Sequence, residues 1–370
     1  MVKYSCMKIL ILSDGIRGNL NQSSGIAERI EEAELKIVEP EYKGPTYRLT
    51  GGRKGRYKFL AKISAILYPF ISPRLIKFYL KLILTRDSYS ELSYYSADLV
   101  ISAGSTMAPL NLLWGRIYQA KKVVCMNPPI LGTKYFDLAI IPGHDYERMR
   151  PFFLKEPKNL FITLGAPNRI NLKSLEEEAE KLNKRTNCQN KVKIGVLLGG
   201  DDQNHHLSEK WTITFLKEIK KFTEKVNADI LLTTSRRTLP GVEKICKKML
   251  SDYPGCKLLV IANETGENPV RGMLGLCSIV FVSEDSIAMC SEAASSPATT
   301  VVLKVARKNK RHLIFDETFK NLSQGGYIHL IPLQELPNLS EIALKFLSQS
   351  TRILNETEQA AAAVRKLIKM

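Results

Sequence analysis

The sequence predicts an α/β protein of two doubly wound, Rossmann-like domains, and three observations carry that prediction. Short aliphatic and β-branched runs of strand length recur through the whole chain, with helical periods between them. Most of these runs empty into Gly, Ser, Asp or Asn, as parallel strands do at their ligand side. The length, 370 residues, suits two domains, and 44% hydrophobic with 25% charged residues is the composition of a folded, water-soluble chain.

Taken in order, Lys8–Ser13 is the first buried strand. It runs into a polar loop holding Asp14, Gly15, Gly18, Asn19 and Gln22, then a helix to about Ala33. These glycines do not form the G-x-G-x-x-G dinucleotide fingerprint. Tyr42–Arg86 then carries eleven Lys and Arg and no Asp or Glu. Between about 53 and 86 it reads as a basic amphipathic hairpin broken by Pro69 and Pro73, with Lys54, Lys58 and Lys62 on one stripe and Arg74, Lys77 and Lys81 on another. Apolar faces beside acid-free basic stripes suit an anionic membrane surface; ordinary domain helices are the alternative. Nucleic acid is not expected, because aromatics do not alternate with the basic residues on one extended face.

Strands at Asp98–Ala103, Lys122–Met126, Leu138–Ile141 and Leu160–Thr163 complete the first sheet, whose ligand edge would carry Asp14, Gly104, Ser105, Asn127, His144 and Asp145. His144 beside Asp145 is a candidate general base. The domain junction falls near Pro167–Asn171, giving domains 1–168 and 169–340 and C-terminal helices over 341–370.

The second half repeats the plan. Lys193–Leu198 opens onto Gly199-Gly200, Asp229–Thr233 onto Thr234-Ser235-Arg236-Arg237, and Ile279–Val282 onto Glu284-Asp285-Ser286 and a helix holding Met289, Ser291 and Glu292. Glycines allow close backbone approach to a phosphate, arginine offers a planar fork, and a helix N-terminus favours an anion. Three such strand ends in one domain point to a nucleotide diphosphate.

The rest of the chain excludes other classes. Seven scattered cysteines without a C-x-x-C pair suit a reducing compartment and give no zinc site, and adjacent His205 and His206 read as loop residues. The N-terminal apolar run is too short for a signal peptide, and no window matches a spanning helix. A net charge of +17 calls for an anionic partner. The expected location is cytoplasmic, or peripheral on the cytoplasmic membrane face, with no metal and no resident cofactor.

The strings Asp14-Gly15-x-x-Gly18-Asn19-x-x-Gln22, Pro142-Gly143-His144-Asp145, Gly165-Ala166-Pro167-Asn168-Arg169, Thr233–Thr238 and Ser283–Ala293 resemble those of the plant "elongated mitochondria" fission proteins and their bacterial glycosyltransferase-like relatives. The resemblance implies the GT-B architecture, two Rossmann-like domains facing a cleft. It further implies a nucleotide sugar on the C-terminal domain, with Glu292 on ribose, Arg236 or Arg237 on the diphosphate and Ser286 at the helix-end phosphate. Together with the basic hairpin, this gives as the expected activity glycosyl transfer from a nucleotide diphosphate sugar to a membrane-associated acceptor, a lipid or an envelope glycan, with Asp14 and His144 as the candidates for acceptor deprotonation. A non-enzymatic membrane adaptor and a nucleotide-sugar epimerase are the alternatives on the same scaffold.

Overall fold

The computed structural model describes residues 6–43, 68, 70–129, 131–152, 155, 157–309 and 314–369. The chain divides into two compact units, Met1–Arg169 with Glu356–Met370, and Ile170–Asn355.

The first unit is built on β1 (Met7–Leu12), β2 (Ala33–Val38), β3 (Leu99–Ala103), β4 (Lys121–Cys125), β5 (Leu138–Pro142) and β6 (Leu160–Thr163). They pair in the order β2-β1-β3-β4-β5-β6, every pairing parallel. β3 and β5 are buried along their whole length, which is why their apolar residues run on without alternation, broken in β3 only by Ser102, which accepts from Asn111. The strand order reverses between β1 and β3, so the loops after them splay apart and leave a crevice at the carboxyl edge.

The second unit holds β7 (Val192–Leu197), β8 (His205–His206), β9 (Ala228–Thr233), β10 (Cys256–Val260), β11 (Ile279–Ser283), β12 (Thr299–Leu303), β13 (Ala306–Arg307) and β14 (His329–Ile331). Its parallel sheet runs β10-β9-β7-β11-β12-β14, with the reversal between β7 and β11. β8 and β13 form a separate antiparallel ribbon in which His206 faces Ala306 and His205 faces Arg307. The adjacent histidines are therefore strand residues and not the loop that the sequence suggests.

Other local expectations also shift. The first helix ends at Ala27, and Ala33 begins β2, an edge strand whose Glu34 and Lys36 disguised it as helix tail. His144 and Asp145 sit in the first turn of the Gly143–Met149 helix. The final helix, Glu356–Ile368, belongs to the first unit: Glu356 accepts the Leu164 N–H and Thr357 that of Asn168, while Ala360, Ala361 and Val364 join the Ile9, Ile26 and Ile101 core. Of the expected basic hairpin, residues 53–67 and 69 lie outside the described residues. The described part is the Pro73–Ile83 helix, capped by the Ser72 hydroxyl with proline in its first turn, and the Arg86–Tyr94 helix, capped by Thr85. Ile76 and Leu80 pack with Trp114 against β1 and β3.

The Arg17–Ala27 helix is held close to the end of the unit by Gly25, where a Cβ would overlap the Asn168 carbonyl. Gly25→Ala should therefore lower unfolding stability by about 1–3 kcal/mol. Gly18→Ala, at a helix position with open space around it, should be neutral or stabilise by up to about 1 kcal/mol. Urea denaturation of the two variants separates overlap from helix propensity.

Candidate functional site

At the switch point of the second sheet a carboxylate bridges the diverging loops. Asp285 follows β11 and is buried; its Oδ2 accepts the Gly200 N–H at 2.9 Å and Arg237 Nη2 at 2.9 Å, and its Oδ1 accepts the Ser283 hydroxyl at 2.6 Å. Ser283 Oγ in turn accepts the Gly199 N–H at 2.8 Å. The glycine pair is needed because a Cβ on Gly199 would meet the Asp285 carboxylate, and one on Gly200 the Arg237 backbone. Burial pushes the Asp285 carboxyl above its ordinary value, and the bonds from Ser283, Gly200 and Arg237 oppose that rise.

The neighbouring carboxylates are also paired. Glu284, buried, accepts the Val305 N–H at 3.0 Å and Arg307 at 3.3 Å, and Arg307 also pairs with Asp316. Asp201 bonds His206 at 2.8 Å and Lys308 at 3.0 Å, while Asp202 faces His205 at 3.1 Å. Burial alone would raise both of these aspartates. Bonds from His206, Leu207 and Lys308 to the first, and from Asn204 and His205 to the second, outweigh it and hold both below 3.8.

The Thr-Thr-Ser-Arg-Arg-Thr string is largely a self-closing turn. Thr234 Oγ1 accepts the Ala262 N–H, Ser235 and Thr238 exchange backbone and hydroxyl bonds, and Thr238 Oγ1 donates to the Gly199 carbonyl. Arg237 is committed to Asp285, with Asp202 at 3.9 Å. Arg236 is exposed and pairs with no carboxylate among the described residues. Ser286 caps the Ile287–Ala294 helix by accepting the Met289 N–H at 3.4 Å; Ser291 is buried, and Met289 and Glu292 are half-buried. Sequence reasoning missed Arg307, Asp316 and Lys308. Their only signal was a basic cluster just beyond the β12 strand.

In the first unit Asp14 likewise spans the switch point. Its carboxylate accepts Thr106 Oγ1 from the loop after β3 at 2.7 Å, Asn19 Nδ2 at 3.0 Å and the Ile16 N–H at 3.1 Å. Gly15 and Gly104 adopt left-handed φ of 74° and 80°, and Asn19 lies against Gly104 where a Cβ would be. Gly18 sits in the first turn of the helix, and Gln22 is buried with its amide nitrogen 3.6 Å from Met126 Sδ. Met126 itself has φ 72°, a backbone conformation that L side chains rarely adopt, at the mouth of β4. Beside it a pocket of about 360 Å³ is lined by Asn127, Pro129, Asp145, Arg148 and Met149. His144 Nε2 lies 3.8 Å from Asp145. Burial holds its imidazole below 6.5 against the pull of Asp145. Among the described residues no three His, Cys, Asp or Glu side chains are placed to hold a metal ion.

The two parallel six-stranded sheets in one chain match, along nearly its whole length, the fold of solved sugar-nucleotide enzymes. The UDP-GlcNAc 2-epimerase of Methanocaldococcus jannaschii is 12% identical with a TM-score of 0.57, covering 98% of this chain and 99% of its own. That of Neisseria meningitidis, bound to UDP-GlcNAc, is 13% identical with a TM-score of 0.55, covering 98% and 100%. MnaA of S. aureus with UDP is 11% identical with a TM-score of 0.53, covering 98% and 97%. The protein has the GT-B fold. Residues 17–368 match the family described as Mitochondrial fission ELM1, and the chain belongs to it. An uncharacterised protein of Rickettsia prowazekii, RP120, is 22% identical over 98% of this chain and 99% of its own.

Removing the bridge at the second switch point should be costly: Asp285→Ala should lower unfolding stability by about 2–3 kcal/mol, since charge-assisted bonds are lost. A second expectation concerns acid. Asp201 and Asp202, held below 3.8, contribute stability that is complete above 3.8 and is lost as pH falls through their folded values. Asp201→Asn with Asp202→Asn should thus be less stable than the parent near neutrality and converge with it only once pH has fallen below the lowered folded values of both aspartates, read as urea midpoints across pH.

Proposed function

We propose that this protein transfers a sugar from a nucleotide diphosphate sugar, held at the carboxyl edge of the second sheet, to an acceptor presented at a membrane surface. The observation that carries the reading is Arg236. Beside the paired carboxylates and cations of this edge it is exposed, at the end of β9, and no carboxylate among the described residues claims it, while the capped helix N-terminus stands at the end of β11. Those two strands flank β7, so their ends are about 10 Å apart. That span suits a diphosphate between a guanidinium fork and free helix N–H groups.

The roles then divide by pairing. Gly199, Gly200, Asp285 and Arg237 hold the loop in shape, while Arg236 and the helix end offset the charge that grows on the departing diphosphate. Glu292, half-buried and into the second turn of its helix, takes ribose hydroxyls. In the first unit Asp14, with three donors on its carboxylate, positions the acceptor loop. His144, kept neutral by burial, is the group able to take the acceptor proton, with Asp145 beside it to stabilise the imidazolium. The protein acts in the cytoplasm, peripheral to the membrane; among the described residues no helix is long and apolar enough to cross one.

Epimerisation of the nucleotide sugar is a second reading, favoured by the fold shared with two UDP-GlcNAc 2-epimerases across 98% of the chain. Incubating UDP-GlcNAc without acceptor separates the two: an epimer formed alone supports this second reading and removes the first.

Calorimetry with uridine and guanosine diphosphates tests the site. Arg236→Ala should weaken the preferred diphosphate about tenfold or more. Unchanged affinity in both Arg236→Ala and Glu292→Ala would refute the assignment, and no affinity in the parent would leave the adaptor reading. Because His144 works as the neutral imidazole and is held below 6.5, transfer should persist at pH 6.5 and fall only under more acid conditions. His144→Gln should abolish that acid limb together with most of the rate.

A further inference from the structure

We infer that the Pro73–Ile83 helix is a preformed docking face for an anionic lipid bilayer. This rests on the membrane-surface part of the function proposed above and not on its chemistry. The helix divides into three stripes. Ile76 and Leu80 are buried in the core of the first unit. On the outer side Leu75, Phe78 and Leu82 are 58%, 62% and 59% exposed, spaced by three and four so that they form one apolar ridge. Next to that ridge Arg74, Lys77 and Lys81 form an exposed basic row that pairs with no carboxylate among the described residues. Phe70, two residues before the Ser72 cap, is 88% exposed as well. Four large apolar side chains together in water on one short segment mark an interaction surface.

The charge pattern selects the occupant. The helix lies in a stretch, Tyr42–Arg86, with eleven basic residues and no acid. A second copy on this face would bring two basic rows together across a self-complementary interface, which repels. A bilayer rich in anionic lipid accepts ridge and basic row at once, the ridge entering the acyl boundary and the basic groups resting on phosphates. At eleven residues the helix is about 16 Å long, so it lies in the interface and does not span. It is also pre-ordered, capped at one end and buried along its back, so binding orders little new chain.

Docking there has a directional consequence. The end of the helix is tied to the segment after β2: Lys43 donates its N–H to the Ile83 carbonyl, Thr85 to that of Glu41, and Tyr42 bridges Leu84. The helix thus meets the carboxyl edge of the first sheet, the edge that carries Asp14, His144 and the pocket at Asn127 and Arg148. A lipid-borne acceptor would reach that edge from the same surface.

The test uses the full chain carrying Phe78→Trp, since the native Trp114 and Trp211 are buried and give a constant background. Mixed with vesicles of about two parts phosphatidylcholine to one part phosphatidylserine, the introduced indole should shift its emission to the blue and be quenched by brominated acyl chains. Pure phosphatidylcholine should bind far more weakly. Leu75→Ser with Leu82→Ser should cut partitioning about tenfold or more, and Lys77→Gln or Lys81→Gln about fivefold each, with circular dichroism unchanged. Diphosphate affinity, measured on the same variants, should not move, so loss of docking and loss of the nucleotide site are told apart. Sedimentation without quenching would mean adsorption by net charge alone and would overturn the inference. So would a parent dimer that the Leu75 and Leu82 changes dissolve, or equal binding of parent and variants.

Discussion

The crest of the second sheet depends on one buried carboxylate. At a switch point the two central strands send their loops in opposite directions, and something must close the gap without filling the edge where ligands enter. Asp285 does this from the end of β11 by accepting the Gly200 N–H from the end of β7 and Arg237 from the loop after β9. Three strand ends are thereby set by one side chain. Its burial would be unfavourable alone, and the surrounding donors offset it. The Gly199-Gly200 pair follows from this constraint, since no larger residue leaves room for the acid and the Arg237 backbone.

The first sheet meets the same problem with the same chemistry. Asp14, at the end of β1, reaches Thr106 in the loop after β3 and Asn19 in the following helix. Both units thus close their crevices with an aspartate that accepts three bonds. Each carboxylate is committed to donors of its own unit. At His144, by contrast, burial works against the charged imidazole while Asp145 favours it.

Membership of the ELM1 family and the GT-B fold place the chain among proteins whose solved structural neighbours include UDP-sugar enzymes. At 11–13% identity the likeness establishes fold, and chemistry has to come from the site. What is distinctive at that site is the density of internal pairs, with Glu284, Asp285, Asp201 and Asp202 all partnered within the unit. Such pairing gives a rigid loop set and leaves few groups for a ligand. That is why Arg236, unpaired with any carboxylate among the described residues, carries the functional reading.

Much of this was legible in the amino-acid order. Strands buried on both faces are mostly apolar and do not alternate, so β1, β3, β5, β7, β9 and β11 announced themselves, and with them the two doubly wound units and the loops at their carboxyl edges. β2 and β14 were not legible, because an edge strand keeps polar residues and a three-residue strand has too little length for a pattern. Helix capping by Ser286 was readable as well, being a contact between residues three apart. Pairing across the sheet was not. Arg236 and Arg237 are identical in type, adjacent in order and both exposed, yet one is held by an acid 48 positions away and the other pairs with no carboxylate among the described residues. Local chemistry follows from neighbours along the chain, whereas the state of a charged group follows from whatever the fold brings beside it.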